Sequence, residues 1–259
     1  MEIALRPASS LTHAALAELF TAAYEGYVLP FAVDEPTLHF MVDAFDIDLD
    51  ASRVAFRDGE PVALANLALR DDEAWIGGIG VVPAARRQGV AETLMRALHE
   101  EARRRGVARV WLEVIEQNES AFRLYEKLGY EVVRDLEVWT LAEDTAPGAA
   151  HEVPAPEAHA RIRELRTTRE PWQRADRTLA NYGDARGLET DAGAAVLRVS
   201  SRVQLVQIAG SDPHELVRTA RTLGTVVALN FPADDPAVTA LRDFGATLTV
   251  RQREMLLTF

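Results

Sequence analysis

The sequence contains no cysteine, so its fold is built without disulfides and without thiolate metal ligands. It has no basic leader followed by an apolar run, and no uninterrupted apolar stretch near the roughly 20 residues needed to span a bilayer. These absences lead us to expect a cytoplasmic protein with no membrane partner. None of the six histidines has a second ligand at metal-site spacing, so no metal is expected. Basic charge is also scarce, with 28 Lys/Arg against 40 Asp/Glu and a formal net charge of −12. Residues 1–150 hold 26 of the acidic and 14 of the basic side chains, so the entire deficit lies there and residues 151–259 are balanced. An acidic first half argues against nucleic acid and would draw in a cationic substrate if its carboxylates line a cleft; the same charge also serves as solvated surface.

What is present is a globular composition, 48% hydrophobic and 26% charged over 259 residues, enough for two ordinary domains. Glu2 to Arg6 reads as a strand, and Leu11 to Tyr24 carries apolar residues at the spacing of one helical face. After Pro30, Thr37 to Ala44 suggests a second helix, with Pro36 suited to its first turn. Arg53 to Arg57, Val62 to Leu69 and Ala74 to Val82 follow as strands of an antiparallel meander. Val90, Leu94, Leu98 and Ala102 then mark a helix that starts at Gly89 and stops at Gly106. Strand Val107 to Ile115, helix Ser120 to Leu128 and strand Tyr130 to Leu141 complete the first half.

The segment 144–158 is small and proline-rich and reads as a linker between domains 1–143 and 159–259. Beyond it the order partly repeats: strands Ala194 to Val199 and Val203 to Ala209, helix Pro213 to Thr222, strand Thr225 to Phe231, helix Asp235 to Phe244 and strand Ala246 to Leu257.

The chemistry concentrates in two places. Strand Ala74 to Val82 runs into Arg86-Arg87-Gln88-Gly89-Val90-Ala91 just before the strong helix. Glycine there lets a ligand approach the backbone, and unpaired N–H groups with the positive end of the helix dipole suit a pyrophosphate. The second place is Asn118-Glu119-Ser120-Ala121-Phe122-Arg123-Leu124-Tyr125-Glu126-Lys127-Leu128-Gly129-Tyr130. Gly77, Gly78 and Gly80 interrupt a strand, as a bulge or a close ligand would require.

These two motifs resemble the core of the GNAT acyltransferase superfamily, clearly over residues 75–140 and by element order over 1–142. The arginine-rich turn is similar to its Gln/Arg-x-x-Gly-x-Gly/Ala coenzyme A motif, and Asn118 with the tyrosine helix resembles its later motifs. The resemblance implies an α/β (α+β) GNAT fold, a mixed central sheet flanked by helices, present twice in tandem. It implies acetyl-CoA as cosubstrate, with the pantetheine against the backbone of Ile79, Gly80 and Val81 and with Asn118 beside it. The pyrophosphate is then expected on Arg87, Gln88, Gly89, Val90, Ala91 and Glu92, with Arg86 at the motif's first position.

The implied activity is direct transfer of an acetyl group to a primary amine, on a small molecule or a protein N-terminus, in a ternary complex. Tyr125 occupies the position of the acid that protonates the departing thiolate. Glu113, in Trp111-Leu112-Glu113-Val114, resembles the placement in acetyltransferases of ribosomal-protein N-termini and is the candidate base, with ordered water as the other option. The alternative is a non-catalytic acyl-CoA sensor or scaffold. His13 and His39 lie where relatives shape the acceptor pocket, and each also reads as a surface or packing residue.

Aligning Leu128-Gly129-Tyr130 with Phe244-Gly245-Ala246 pairs Tyr125 with Leu241 and Asn118 with Asp234. The turn from Gly210 to Pro213 is too short to cradle a pyrophosphate, and Pro213 lacks a donor. The second half is therefore expected to be a degenerate, non-catalytic copy. It would cover the acceptor groove or stand in for a dimer partner, giving a monomer with an intramolecular pseudo-dimer, or a homodimer.

Overall fold

The computed structural model describes residues 3–27 and 32–259, and the chain divides into two compact units, Met1–Val133 with Glu254–Phe259, and Arg134–Arg253. Glu2 and Pro30, used above to bound elements, lie outside the described residues.

The first unit contains β1 (Ile3–Pro7), α1 (His13–Ala23), α2 (Glu35–Phe45), β2 (Arg53–Arg57), β3 (Glu60–Arg70), β4 (Glu73–Val81), α3 (Val90–Arg104), β5 (Arg109–Ile115) and α4 (Glu119–Lys127). Its sheet runs β1-β2-β3-β4-β5 and is completed beside β5 by the end of the chain's last strand. Strands β1 to β4 pair antiparallel, and β4 pairs parallel with β5.

Local chemistry explains the elements. Asp34 caps α2 by accepting from the Thr37 amide at 2.9 Å, and Pro36 sits in the first turn, where no donor is missed. In α3 the buried stripe Val90, Leu94, Met95, Leu98 and Ala102 packs on the small face formed by Ala55, Ala63, Ala65 and Ala74. Val110, Leu112 and Val114 of β5 share that core. Met255 and Leu257, from the far end of the chain, enter it as well.

The second unit contains most of β6 (Glu131–Leu141), then β7 (His151–Val153), α5 (Ala155–Leu165), α6 (Asp176–Ala180), β8 (Ala185–Thr190), β9 (Gly193–Val199), β10 (Val203–Gly210), α7 (His214–Arg221), β11 (Val226–Pro232), α8 (Pro236–Asp243) and the start of β12 (Thr247–Thr258). Its strands follow the order β12-β6-β11-β10-β9-β8-β7. A second core forms around Leu197, Leu205, Leu216, Val226 and Phe231. From β7 onward the element order repeats that of the first unit.

The segment expected to be a linker is structured and needs correcting. His151–Val153 pairs with β8, and α5 begins at Ala155 with Pro156 in its first turn. The small residues before it serve close packing: a Cβ on Gly148 would lie 2.2 Å from Thr219 Oγ1. The Ala149 amide donates to Glu215 at 2.8 Å and the Ala150 amide to Thr219 at 3.2 Å. Proline and alanine suit a strand edge and a helix start as well as a flexible tether.

Candidate active site

β4 and β5 are hydrogen-bonded neighbours only from Glu73↔Arg109 to Trp75↔Trp111. Beyond Trp75 they separate, leaving the backbone from Ile76 to Val81 unpaired with β5. A bulge at Gly77 marks the change, since the β3 register shifts between Asn66↔Gly78 and Leu67↔Ile76.

The three glycines each have a steric reason. A Cβ on Gly77 would meet the Trp75 ring at 2.4 Å. A Cβ on Gly78 would lie 3.2 Å from both Phe20 Cζ and Tyr24 Oη, and one on Gly80 would lie 2.8 Å from the Ala23 Cβ and 2.9 Å from the Tyr24 ring. The strand is therefore bare so that α1 and Trp75 can press on it. Tyr24 stacks on Phe20 with ring centroids 4.7 Å apart, and its hydroxyl accepts the Ile79 amide N–H.

After β4 the chain turns through a short 3-10 segment, Pro83–Ala85, into Arg87 and Gly89, both with positive φ of 60° and 80°. Gly89 caps α3 without a side-chain bond, so the first amides of the helix have no side-chain acceptor from the cap. A Cβ on Gly89 would meet nothing within 4 Å. Arg87, Gln88 and Gly89 are exposed. Arg86 instead binds backbone, its guanidinium donating to the carbonyls of Val81 at 2.9 Å, Ala23 at 3.2 Å and Glu25 at 2.5 Å. It thereby ties the end of β4 to the carbonyl end of α1, where a cation is favoured by the helix dipole. Gln88 donates to the Ala84 carbonyl at 3.1 Å. Glu92, in the first turn of α3, accepts from Lys127 at 2.7 Å and Arg96 at 2.8 Å, and the Lys127 bond is the main cause of its depressed pKa.

On β5, Glu113 alternates away from the core residues Leu112 and Val114, and its carboxylate accepts the Trp75 indole N–H at 2.8 Å. Asn118 caps α4 through the Ala121 amide at 3.2 Å, while its side-chain nitrogen reaches Tyr27 Oη at 3.4 Å. Tyr125 is the buried residue of α4. Burial, then the nearby phenols Tyr24 and Tyr27, raise its pKa far above the ordinary tyrosine value. Tyr24 is raised in the same way by burial and then by Tyr27. Tyr125 also packs 5.9 Å from Tyr130, whose hydroxyl lies 2.9 Å from His99 Nε2.

The structure therefore brings Tyr125, Tyr27, Asn118 and the Ile79 backbone into one neighbourhood, and joins it to Tyr24, which the sequence had shown only as the end of a helical segment. Glu113 is held by Trp75. His13 and His39 stack on each other at 3.9 Å on α1 and α2.

The second unit repeats the strand divergence. β10 and β11 pair only from Val203↔Val226 to Leu205↔Ala228. Here the gap is filled by Arg174, whose Nε donates to the Val206 carbonyl at 2.8 Å and Nη1 to the Asn230 carbonyl at 3.2 Å. The guanidinium lies 3.3 Å over the Phe231 ring and pairs with Glu170 at 3.2 Å.

Within the chain, residues 14–130 match the model of the acetyltransferase (GNAT) family. The chain's fold is that of a tandem GNAT protein: it is similar, with a TM-score of 0.66 and 16% identity, to a tandem GNAT protein from the clavulanic acid biosynthesis pathway, covering 99% of this chain and 98% of that one. A putative acetyltransferase from Pyrococcus horikoshii has a TM-score of 0.73 at 20% identity, covering 99% of this chain and 89% of that one. In sequence, the [ribosomal protein bS18]-alanine N-acetyltransferase of Escherichia coli strain K12 is 40% identical over 74 residues, 29% of this chain and 50% of that protein. The chain thus spans about half the length of the curated relatives it matches first.

Proposed function

We propose that the first unit binds acetyl-CoA between β4 and β5 and transfers its acetyl group directly to a primary amine. The observation that carries this is the separation of β4 and β5 after three paired residues, opening beside a glycine-capped helix start. The backbone of Ile79, Gly80 and Val81 takes the pantetheine, with Asn118 at its side. Exposed Arg87 and the amides of residues 88–92 hold the pyrophosphate, and Arg86 braces that loop from below. Acyl-CoA supplies an activated thioester.

In this reading Glu113, oriented by Trp75, or ordered water takes a proton from the ammonium group, and the amine nitrogen attacks the thioester carbon. The C–N bond forms, the C–S bond breaks and Tyr125 donates its proton to the departing thiolate; the second proton that the amide nitrogen then loses passes through water and restores the Tyr125 phenol. Its raised pKa keeps the phenol protonated throughout the physiological range. The acidic first half supports a cationic acceptor, and the ribosomal-protein alanine in the bS18 relative's name makes peptides beginning with alanine the first acceptors to try.

The second unit is proposed to be non-catalytic and without coenzyme, because Arg174 occupies the space between its diverging strands. Supplying acetyl-CoA with a panel of primary amines and alanine-led peptides tests the assignment. Transfer by the wild type that falls at least about a hundredfold in Tyr125→Phe supports it. Tight acetyl-CoA binding without turnover on any amine would support a coenzyme-sensing protein instead.

A further inference from the structure

The mechanism above leaves one charge unattended. When the amine adds, the thioester oxygen becomes an oxyanion, and a single amide is a weak site for it. The described residues place a second donor at the same point. Tyr24 Oη accepts the Ile79 N–H and would lie 3.2 Å from a Cβ on Gly78, so it is buried against the α1-facing side of β4 immediately after the bulge. Its ring is fixed by the stack on Phe20, by Tyr27 edge-on at 5.1 Å, and by the bare backbone of Gly80. The hydroxyl thus has little freedom of position and retains rotation about its C–O bond.

Resting on the coenzyme site proposed above, we infer that Tyr24 is a catalytic residue: its O–H and the Ile79 N–H together form the oxyanion site that receives the acyl oxygen of the bound thioester. In the unliganded protein the phenol oxygen takes the amide's hydrogen bond, the part that the acyl oxygen plays on binding. On entry of acyl-CoA the amide turns to the acyl oxygen, and the phenol O–H swings to the same atom. Tyr24 donates a hydrogen bond and keeps its proton throughout, while Tyr125 gives up its proton to sulfur. Burial keeps Tyr24 neutral, which a donor to an oxyanion requires.

The glycines follow from this assignment. Any side chain at residue 80 would push the Tyr24 ring away from the strand, and one at residue 78 would crowd its hydroxyl. The need for a phenol at this distance accounts for two of the three interruptions in β4.

The test uses the full chain, Tyr24→Phe, and three ligands: CoA, acetyl-CoA and S-ethyl-CoA, which lacks only the carbonyl oxygen. Tyr24→Phe retains the ring and its stack, and an unchanged thermal midpoint verifies its fold. The wild type is expected to prefer acetyl-CoA over S-ethyl-CoA by about threefold to tenfold, the worth of one or two net hydrogen bonds. Tyr24→Phe should lose most of that preference and bind CoA as before. With any accepted amine, its kcat should fall by about a hundredfold while the KM for acetyl-CoA changes little.

An undiminished preference with unchanged kcat would overturn the inference, as would tighter binding of acetyl-CoA at full kcat, which would make Tyr24 a competitor for the amide. If the wild type binds none of the three ligands, the coenzyme site itself is wrong and this inference falls with it. That outcome is distinct from a wild type that binds all three while Tyr24→Phe behaves identically.

Discussion

Removing residues 254–259 takes nothing from the segment in which the proposed coenzyme motifs lie, yet it should destabilise that segment. Met255 is fully buried and Leu257 is 9% exposed in the core that also holds Leu94, Leu98 and Leu112. The Phe259 amide donates to the Ala108 carbonyl at 3.0 Å, and its ring covers Arg103 at 4.0 Å. Burial of two such side chains is worth about 3–6 kcal/mol, which is comparable with the total stability of many domains, about 5–15 kcal/mol. The loss also leaves the edge of β5 without a partner. Urea unfolding of residues 1–253 against the full chain should therefore show a loss of at least about 3 kcal/mol, and Met255→Ala alone about 2–5 kcal/mol. A truncated protein within about 1 kcal/mol of the parent would refute the placement of the last strand in the first unit. The same placement means that a fragment ending near residue 143 lacks part of its own core.

Two further outcomes follow from buried charge. His99 is 5% exposed, and burial, with Arg103 and Arg96 adding to it, lowers its pKa to about 4. The unfolded chain takes up this proton near pH 6.5 while the folded one resists until about 4, so stability should fall as pH drops through that window. The slope approaches about 1.4 kcal/mol per pH unit, to a total of about 3 kcal/mol. His99→Gln should flatten the fall between pH 6.5 and 5, and an unchanged slope would remove His99 as its source. Arg174→Leu should lower the unfolding free energy by about 3–5 kcal/mol by leaving Glu170 buried without its cation. Glu170→Gln added to Arg174→Leu should recover part of that loss, and a double variant no better than the single one would show that the pair is not the cause.

The elements that the sequence displayed well are those with a strong period. The α3 stripe from Val90 to Ala102 repeats at helical spacing and is closed by glycines, so both its ends fall within a residue of expectation. The strands from Arg53 to Ile115 were legible because turn residues separate them. β7 and α5 were not, because a three-residue strand has no period and Pro154 to Pro156 carries two meanings. β12 reads correctly as a strand, yet alternation along a strand does not state which sheet will receive its end, and its transfer into the first unit is a tertiary property.

In the candidate site the proposed coenzyme loop is marked in the sequence by a glycine that follows two arginines, while the contacts of Arg86 with the carbonyls of Ala23 and Glu25 depend on partners 61 to 63 residues away. Tyr24 entered the sequence reading only as the last residue of a helical segment, and only the bare backbone of Gly78 and Gly80 opposite reveals what its ring approaches. Arg174 was equally silent, since an arginine in an irregular segment gives no sign that it will be buried.

The most direct test of the account is calorimetric titration of acetyl-CoA into the full chain and into Gly89→Asp. Aspartate tolerates the positive φ of 80° better than most side chains, and nothing lies within 4 Å of the new Cβ, so the fold should survive. Its carboxylate would meet the pyrophosphate at the start of α3. One site per chain in the parent, lost in Gly89→Asp with the thermal midpoint nearly unchanged, is the expected result. No binding to the parent, two sites per chain, or undiminished binding to Gly89→Asp would contradict the placement of the coenzyme between β4 and β5.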